Sequence, residues 1–400
     1  MTALLTQTAT APSAPGAPSR PRDRFIDFVR AFSILAVVVG HWLMDIIDWD
    51  DPAWTHSLLV SIQPMQYVTW VLHVIPLFFF VGGFANALSL RSAHRRGLPY
   101  AAFLRHRLER LLRPVAVFLA VWLPLAYLMR SGWPDSVVAE NIMLGAFRPL
   151  WFIPVYILFV ALTPWTLALH KRFGWAVPAA LVVTVILLDA ARLGFGMTGL
   201  GMVNNFVVFL LAYQVGYFYA DGRLQRLRWP LLLAVALGAL AMLAALTTVG
   251  PYSPSMLAVP DGRVPNADPA SAAFATLSIW LIALTLLLRA PIDRLAAQPG
   301  VWAAVVKVNL YIMTIYVWHT SAWSLTIVTL HLLGVPLIEA GTPLWWLLLP
   351  LWLALLGLVL AGFVWVFGRF EQVPWPGGAH PTGPDARVDR PAEAFGRLPS

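Results

Sequence analysis

Arg30 and His41 lie eleven residues apart in the apolar segment 27–41. An α-helix turns about 100° per residue, so eleven steps bring both side chains to one face, about 16 Å apart along the axis. Ionisable side chains at membrane depth are costly and usually face a protein interior or a water-filled cavity. The spacing therefore predicts a helix with a guanidinium near one membrane surface and an imidazole well inside. The alternative interpretation is that Arg30 reaches lipid phosphates and His41 makes a packing contact.

A row of arginines separates the second apolar run from the third. Arg107, Arg110 and Arg113 recur every three residues, so they line one side of a helical turn or two. Their guanidinium groups suit a polyanion such as the phosphates of a nucleotide cofactor. The alternative is a positively charged membrane anchor whose partners are lipid headgroups.

Other apolar runs contain small or polar residues. Gly82 and Gly83 allow another helix or a ligand to approach the backbone, although plain helix packing explains them as well. Tyr316 and His319 are three residues apart and share a helix face. Four further polar side chains are each able to line a cavity but are more typical of contacts between helices, namely His73, Asn204, Asn205 and Gln214.

The composition indicates a membrane protein. Of the 400 residues, 59% are hydrophobic and 12% are charged, and the mean hydropathy is +0.73. Runs of about 20 apolar residues recur along the chain, as membrane-spanning helices require. The chain has no cysteine, which excludes thiolate catalysis and cysteine metal sites. Its nine histidines are scattered, so no metal site is predicted.

The apolar runs predict an all-α integral membrane protein with about ten transmembrane helices. The predicted spans are 25–47, 67–90, 111–128, 150–169, 177–191, 202–220, 230–248, 272–288, 308–333 and 344–367. Five prolines between 251 and 269 predict an irregular segment outside the bilayer. Residues 1–22 and 369–400 read as disordered tails around one transmembrane domain, 23–368.

The positive charges predict the orientation. The net charge is +8, but the positive residues lie in short segments between apolar runs, which argues against nucleic-acid binding. With ten spans and both termini cytoplasmic, all but four of the 27 lysines and arginines fall inside. The exceptions are Arg130, Arg148, Arg192 and Arg263. This asymmetry is the one that the positive-inside rule describes.

Taken together, these segments resemble the family-3 membrane acyltransferases, which include bacterial O-antigen and peptidoglycan O-acetyltransferases. The matching motifs are, in chain order, Arg24, Asp27, Arg30 and His41; the run 78–84; Arg110, Arg113 and Pro114; the Leu-Trp-Phe segment 150–154; and Tyr316 with His319. The resemblance covers roughly 24–367. It departs from the family pattern at Gly82, where serine is usual, so no catalytic role is predicted there. The fourth span also lacks the Trp-x-x-x-x-Glu variant of one branch, and Tyr156 lies nearby instead.

The resemblance implies an enzyme of the inner (cytoplasmic) membrane that moves an acyl group from cytoplasmic acyl-CoA, commonly acetyl-CoA, to a hydroxyl of a carbohydrate or glycolipid acceptor. Acyl-CoA is a co-substrate, and no permanently bound cofactor is expected. Membrane lipids surround the protein.

Three sets of residues take roles in this interpretation. His41 is the general base or, alternatively, a transient acyl carrier. Arg30 holds the donor or braces the helix, and Asp45, four residues beyond His41, orients the imidazole, which is an inference from spacing. The donor phosphates are assigned to Arg107, Arg110 and Arg113, and the substrate to Trp151, Tyr316 and His319. A secondary transporter or flippase, and a non-catalytic scaffold or sensor, are the alternative functions.

Overall fold

The structure is a computed structural model, and it describes residues 23–44, 46–47, 55–56, 62–257, 263–336, 338 and 341–372. The helices are α1 (Arg24–Met44), α2 (Gln63–Leu72), α3 (Ile75–Arg95), α4 (Tyr100–Gly132), α5 (Val137–Phe147), α6 (Phe152–Phe173), α7 (Ala176–Phe195), α8 (Leu200–Ala220), α9 (Trp229–Thr248), α10 (Ala272–Leu287), α11 (Arg289–Ala297), α12 (Pro299–Leu310), α13 (Ile312–Leu332) and α14 (Pro343–Gln372). Two 3-10 turns, Arg148–Trp151 and Leu224–Arg226, join helices, and β1 (Ile46–Ile47) pairs antiparallel with β2 (Thr55–His56).

The all-α membrane architecture predicted from the sequence is confirmed. Within the described residues, 8 helical segments are long and apolar enough to cross a membrane, and up to 10 if each sharply bent helix pair counts as one span. The bent pairs are α10 with α11, at 56°, and α12 with α13, at 79°. The predicted tails lie outside the described residues, apart from 369–372, which continue α14.

Some boundaries differ from those predicted. The arginine-rich segment is helical and continuous with the third span, because α4 begins at Tyr100 and long aliphatic stems favour a helix. The connection before the fourth span contains α5, whose N-cap residue Ser136 accepts a hydrogen bond from the Ala139 amide at 3.2 Å.

The helix breaks arise from identifiable residues. α2 ends before His73, and α3 restarts with Pro76 in its first turn, where a missing N–H costs nothing. The bend between α12 and α13 falls at Tyr311. Glu371 of α14 accepts hydrogen bonds there from the amides of Met313, at 3.2 Å, and Thr314, at 2.9 Å. This carboxylate satisfies N–H groups that a helix start leaves without partners.

The proline-rich segment between α9 and α10 contains no helix among its described residues. It packs into the bundle, because Trp70 Nε1 donates to the Pro254 carbonyl at 2.8 Å and the Met256 amide donates to Thr69 Oγ1 at 2.9 Å. Asn266 Nδ2 donates to the carbonyls of Ser253 and Ser255 at 2.6 and 2.8 Å. The side chain of Asn266 therefore fixes the shape of an irregular chain that has few backbone partners of its own.

Candidate active site

A cavity of about 1270 Å³ lies along one face of α1. Arg30, Ile34, Val37 and His41 all line it. They are spaced by four, three and four residues, which is the repeat of a single helix face. The predicted common face of Arg30 and His41 is thus the face that α1 turns to the cavity.

The cavity is cationic near the bend between α12 and α13. Arg30 donates through Nε to Asn309 Oδ1 and lies 3.6 Å from Asp27 Oδ1. Asn309 Nδ2 in turn donates to the Asp27 carbonyl at 2.8 Å, so the guanidinium is braced from two helices. Arg110 also lines the cavity and interacts electrostatically with Glu371, which caps α13 at the same bend.

Arg107 completes this cationic wall. Its Nη2 donates to the Ala85 carbonyl of α3 at 2.7 Å, and its buried Nε has no hydrogen-bond partner among the described residues. Arg107 and Arg110 both line the cavity, and Arg148 does so as well. Arg113, one turn further along α4, is not among the lining residues. Two of the three predicted arginines are thereby brought together.

Two histidines meet near the C-terminal end of α1. The ring centroids of His41 and His319 are 4.9 Å apart. His41 Nδ1 lies 2.9 Å from the Val37 carbonyl oxygen. A carbonyl oxygen can only accept, so Nδ1 carries the hydrogen and the neutral ring has its lone pair on Nε2. The atom suited to accept a proton is therefore Nε2.

His319 lies behind His41 and is not among the residues that line the cavity. His319 is fully buried, and its Nδ1 lies 2.6 Å from the Tyr316 carbonyl oxygen. Trp42 Nε1 donates a hydrogen bond to the backbone carbonyl of His319 at 2.9 Å. The His319 ring therefore contacts the His41 ring without lining the cavity. Tyr316 does line the cavity, with its hydroxyl donating to the Pro149 carbonyl. Asp45 lies outside the described residues.

Aromatic side chains form part of the cavity wall. Trp151 is 44% exposed, lines the cavity and packs on Phe209 with ring centroids 6.1 Å apart. Phe152 packs against Tyr316 at 5.6 Å. Apolar and aromatic walls of this kind are typical of small-molecule binding sites.

The structure adds cavity residues that the sequence interpretation assigned to helix packing or left without a role. His73 lines the cavity at the break between α2 and α3, and its buried Nε2 has no partner among the described residues. Asn205, Tyr156 and Asp268 line it too. Pro76 was the sequence feature from which the cavity position of His73 could have been predicted. Proline breaks the helix there, and polar groups near a broken membrane helix commonly face a cavity. Among the described residues, no group of three or more His, Asp or Glu side chains could hold a metal ion.

The fold and the cavity define a multi-pass membrane protein with a partly apolar, arginine-lined chamber beside a histidine. A family model described as an acyltransferase domain, that of acyltransferase family 3, matches residues 23–380. The chain belongs to this family and is a membrane acyltransferase. Comparison with curated proteins and with solved structures gives no match.

Proposed function

We propose that this acyltransferase moves an acyl group, acetyl in the first instance, from cytoplasmic acyl-CoA to a hydroxyl of a carbohydrate or glycolipid acceptor at or beyond the inner membrane. The observation that carries the proposal is one cavity that joins Arg30, Arg107 and Arg110 to His41. Guanidinium groups bind phosphates, and an imidazole titrates near the operating pH of a general base. The distribution of positive charge supports cytoplasmic termini. In that orientation Arg107 and Arg110 lie on the cytoplasmic side, where acyl-CoA is made.

The proposed reaction has one transfer step. His41 Nε2 takes the proton of the acceptor hydroxyl as its oxygen attacks the thioester carbonyl carbon. A carbon–oxygen bond forms, the carbon–sulfur bond breaks, and the proton passes to the thiolate to give free CoA. Arg30 is braced by Asp27 and Asn309, so it can hold an anionic part of the donor without rearranging.

The test is CoA release by the purified protein in lipid nanodiscs, followed with a thiol reagent. The chain has no cysteine of its own, so all thiol signal comes from CoA. We expect His41→Ala to abolish release at equal folded yield. The matched control is His94→Ala, because His94 is an exposed histidine at the end of α3.

Two results would contradict the proposal. Full activity in His41→Ala would remove this residue from the mechanism. Failure of the wild type to release CoA with a mixture of hydroxyl acceptors, together with failure to bind acetyl-CoA, would exclude an acyl-CoA donor. An acylated His41 trapped by acid quench and found by mass spectrometry would replace the general-base role with that of an acyl carrier.

A further inference from the structure

Gly82 of α3 and Tyr156 of α6 face each other in the cavity wall. A Cβ atom added at Gly82 would lie 2.8 Å from Tyr156 Cε2 and 3.2 Å from its hydroxyl oxygen. Both distances are shorter than an ordinary van der Waals contact for a Cβ atom. The tyrosine ring therefore occupies space that exists because residue 82 has no side chain.

The Tyr156 ring is held on a second side. It stacks on Phe152 with centroids 5.5 Å apart and planes at 25°. Asn86 Nδ2, one turn along α3 from Gly82, lies 3.4 Å from the Tyr156 hydroxyl oxygen and 2.9 Å from that of Tyr213. The hydroxyl is thus placed by packing and by a buried amide.

The hydrogen bonds behind Asn86 fix which way this amide points. Thr163 Oγ1 donates its hydrogen to the Phe159 carbonyl at 2.9 Å, so its 2.7 Å contact with the Tyr213 hydroxyl must have Tyr213 as donor. Tyr213 has then used its hydrogen, and the Asn86 atom beside it must itself be a donor, which is Nδ2.

The same Nδ2 also faces the Tyr156 oxygen, which accordingly accepts. The hydrogen of the Tyr156 hydroxyl is left to donate to an occupant of the cavity.

The residues around Tyr156 indicate which chemical group its hydroxyl would bind. Ala85, three residues from Gly82 on the same helix, holds Arg107 through its carbonyl, and Arg107 and Tyr156 both line the cavity. A hydroxyl donor beside a guanidinium favours an oxygen with negative or partial negative charge, as in a phosphate or an amide carbonyl.

We propose that Tyr156 binds the acyl donor by donating a hydrogen bond from its hydroxyl to a phosphate or carbonyl oxygen, and that Gly82 is required to admit its ring. This inference rests on the proposed function, since acyl-CoA is taken as the donor. Removing the hydroxyl leaves the ring packing in place, so Tyr156→Phe tests the hydrogen bond alone.

The experiment measures the acetyl-CoA dissociation constant and KM in nanodiscs for the wild type, Tyr156→Phe and Gly82→Ala. The control is Tyr127→Phe, because Tyr127 is 73% exposed on α4. One lost hydrogen bond predicts a rise of roughly three- to tenfold in both constants for Tyr156→Phe, with kcat nearly unchanged. Gly82→Ala displaces the ring and predicts a rise of similar size.

The outcomes separate the two proposals. If the wild type binds acetyl-CoA and Tyr156→Phe binds it equally well, the role of Tyr156 is refuted while the acyl-CoA donor stands. If Tyr156→Phe lowers kcat at unchanged KM and dissociation constant, its hydroxyl acts in the chemical step and the binding role is refuted. If the wild type does not bind acetyl-CoA, the proposed function fails and this inference falls with it.

Discussion

Replacing Gly83 with alanine should separate α3 and α8, two of the helices that line the cavity. A Cβ atom at Gly83 would lie 2.0 Å from the Tyr213 carbonyl oxygen, which belongs to the backbone of α8. The reverse contact is as close, because a Cβ atom at Gly216 would lie 2.2 Å from the Phe80 carbonyl oxygen of α3. α3 and α8 thus touch backbone to backbone, and neither can yield by changing a rotamer.

The size of the effect follows from that distance. A separation of 2.0 Å has to grow by at least about 1 Å before a Cβ atom is tolerated, and only a shift of a whole helix provides it. Overpacking of this kind costs about 1–3 kcal/mol. The shift also loosens Phe79, which stacks on Phe209 of α8 at 4.6 Å. We therefore expect Gly83→Ala to lower the free energy of unfolding by about 3 kcal/mol, roughly two orders of magnitude in the equilibrium constant.

The assay is unfolding in mild detergent, followed by intrinsic fluorescence and checked by size-exclusion chromatography. Gly238→Ala is the matched control, because a Cβ atom at Gly238 of α9 meets nothing within 4 Å. Helix propensity predicts that this control is neutral or gains up to about 1 kcal/mol. Equal stability of Gly83→Ala and Gly238→Ala would refute the reasoning. The double variant Gly83→Ala/Gly216→Ala should cost less than the sum of its parts, since the first change already opens the shared crossing.

Two further predictions concern carboxylates that are paired with cationic side chains. Asp189 Oδ1 lies 2.8 Å from Arg192 Nη2, and Asp189 Oδ2 accepts a hydrogen bond from the Tyr252 hydroxyl at 2.7 Å. Arg192→Ala leaves this carboxylate buried without its cation and should lower the free energy of unfolding by about 3–5 kcal/mol. Arg130→Ala is the control, because Arg130 is exposed, and a loss below about 1 kcal/mol in Arg192→Ala would contradict the prediction. Burial alone would raise the pKa of Asp221, but hydrogen bonds with His170 and Arg91 lower it below 3.8. The ionised Asp221 therefore stabilises the fold at pH values above 3.8, and this stabilisation is lost as the pH falls through the lower pKa of the folded state. Asp221→Asn should reduce the dependence of the unfolding free energy on pH between about pH 7 and pH 3. An unchanged pH profile would refute this prediction.

Much of the fold was predictable from the chain alone. Apolar runs of about 20 residues define membrane-spanning helices, because a bilayer core leaves the backbone few other ways to satisfy its hydrogen bonds. The common face of Arg30 and His41 was predictable for a related reason. Within one helix, the angle between two side chains depends on their spacing and on nothing else in the protein.

Relations between helices were not predictable in the same way. The spacing of Arg107, Arg110 and Arg113 gave no means to tell that the first two line the cavity and the third does not. The contact of His319 with the back of His41 joins residues 278 positions apart in the chain, and helix packing decides it.

Residue 82 shows where sequence reasoning ends. As a sequence feature, Gly82 indicates close approach of a helix or ligand, or a hydroxyl that is missing. Only the packing of α6 on α3 shows that the Tyr156 ring fills this space. The sequence alone determined the apolar spans and which side chains within one helix share a face, as for Arg30 and His41. The tertiary structure decided which faces meet, because helix crossings depend on the fit of small and large side chains from distant parts of the chain.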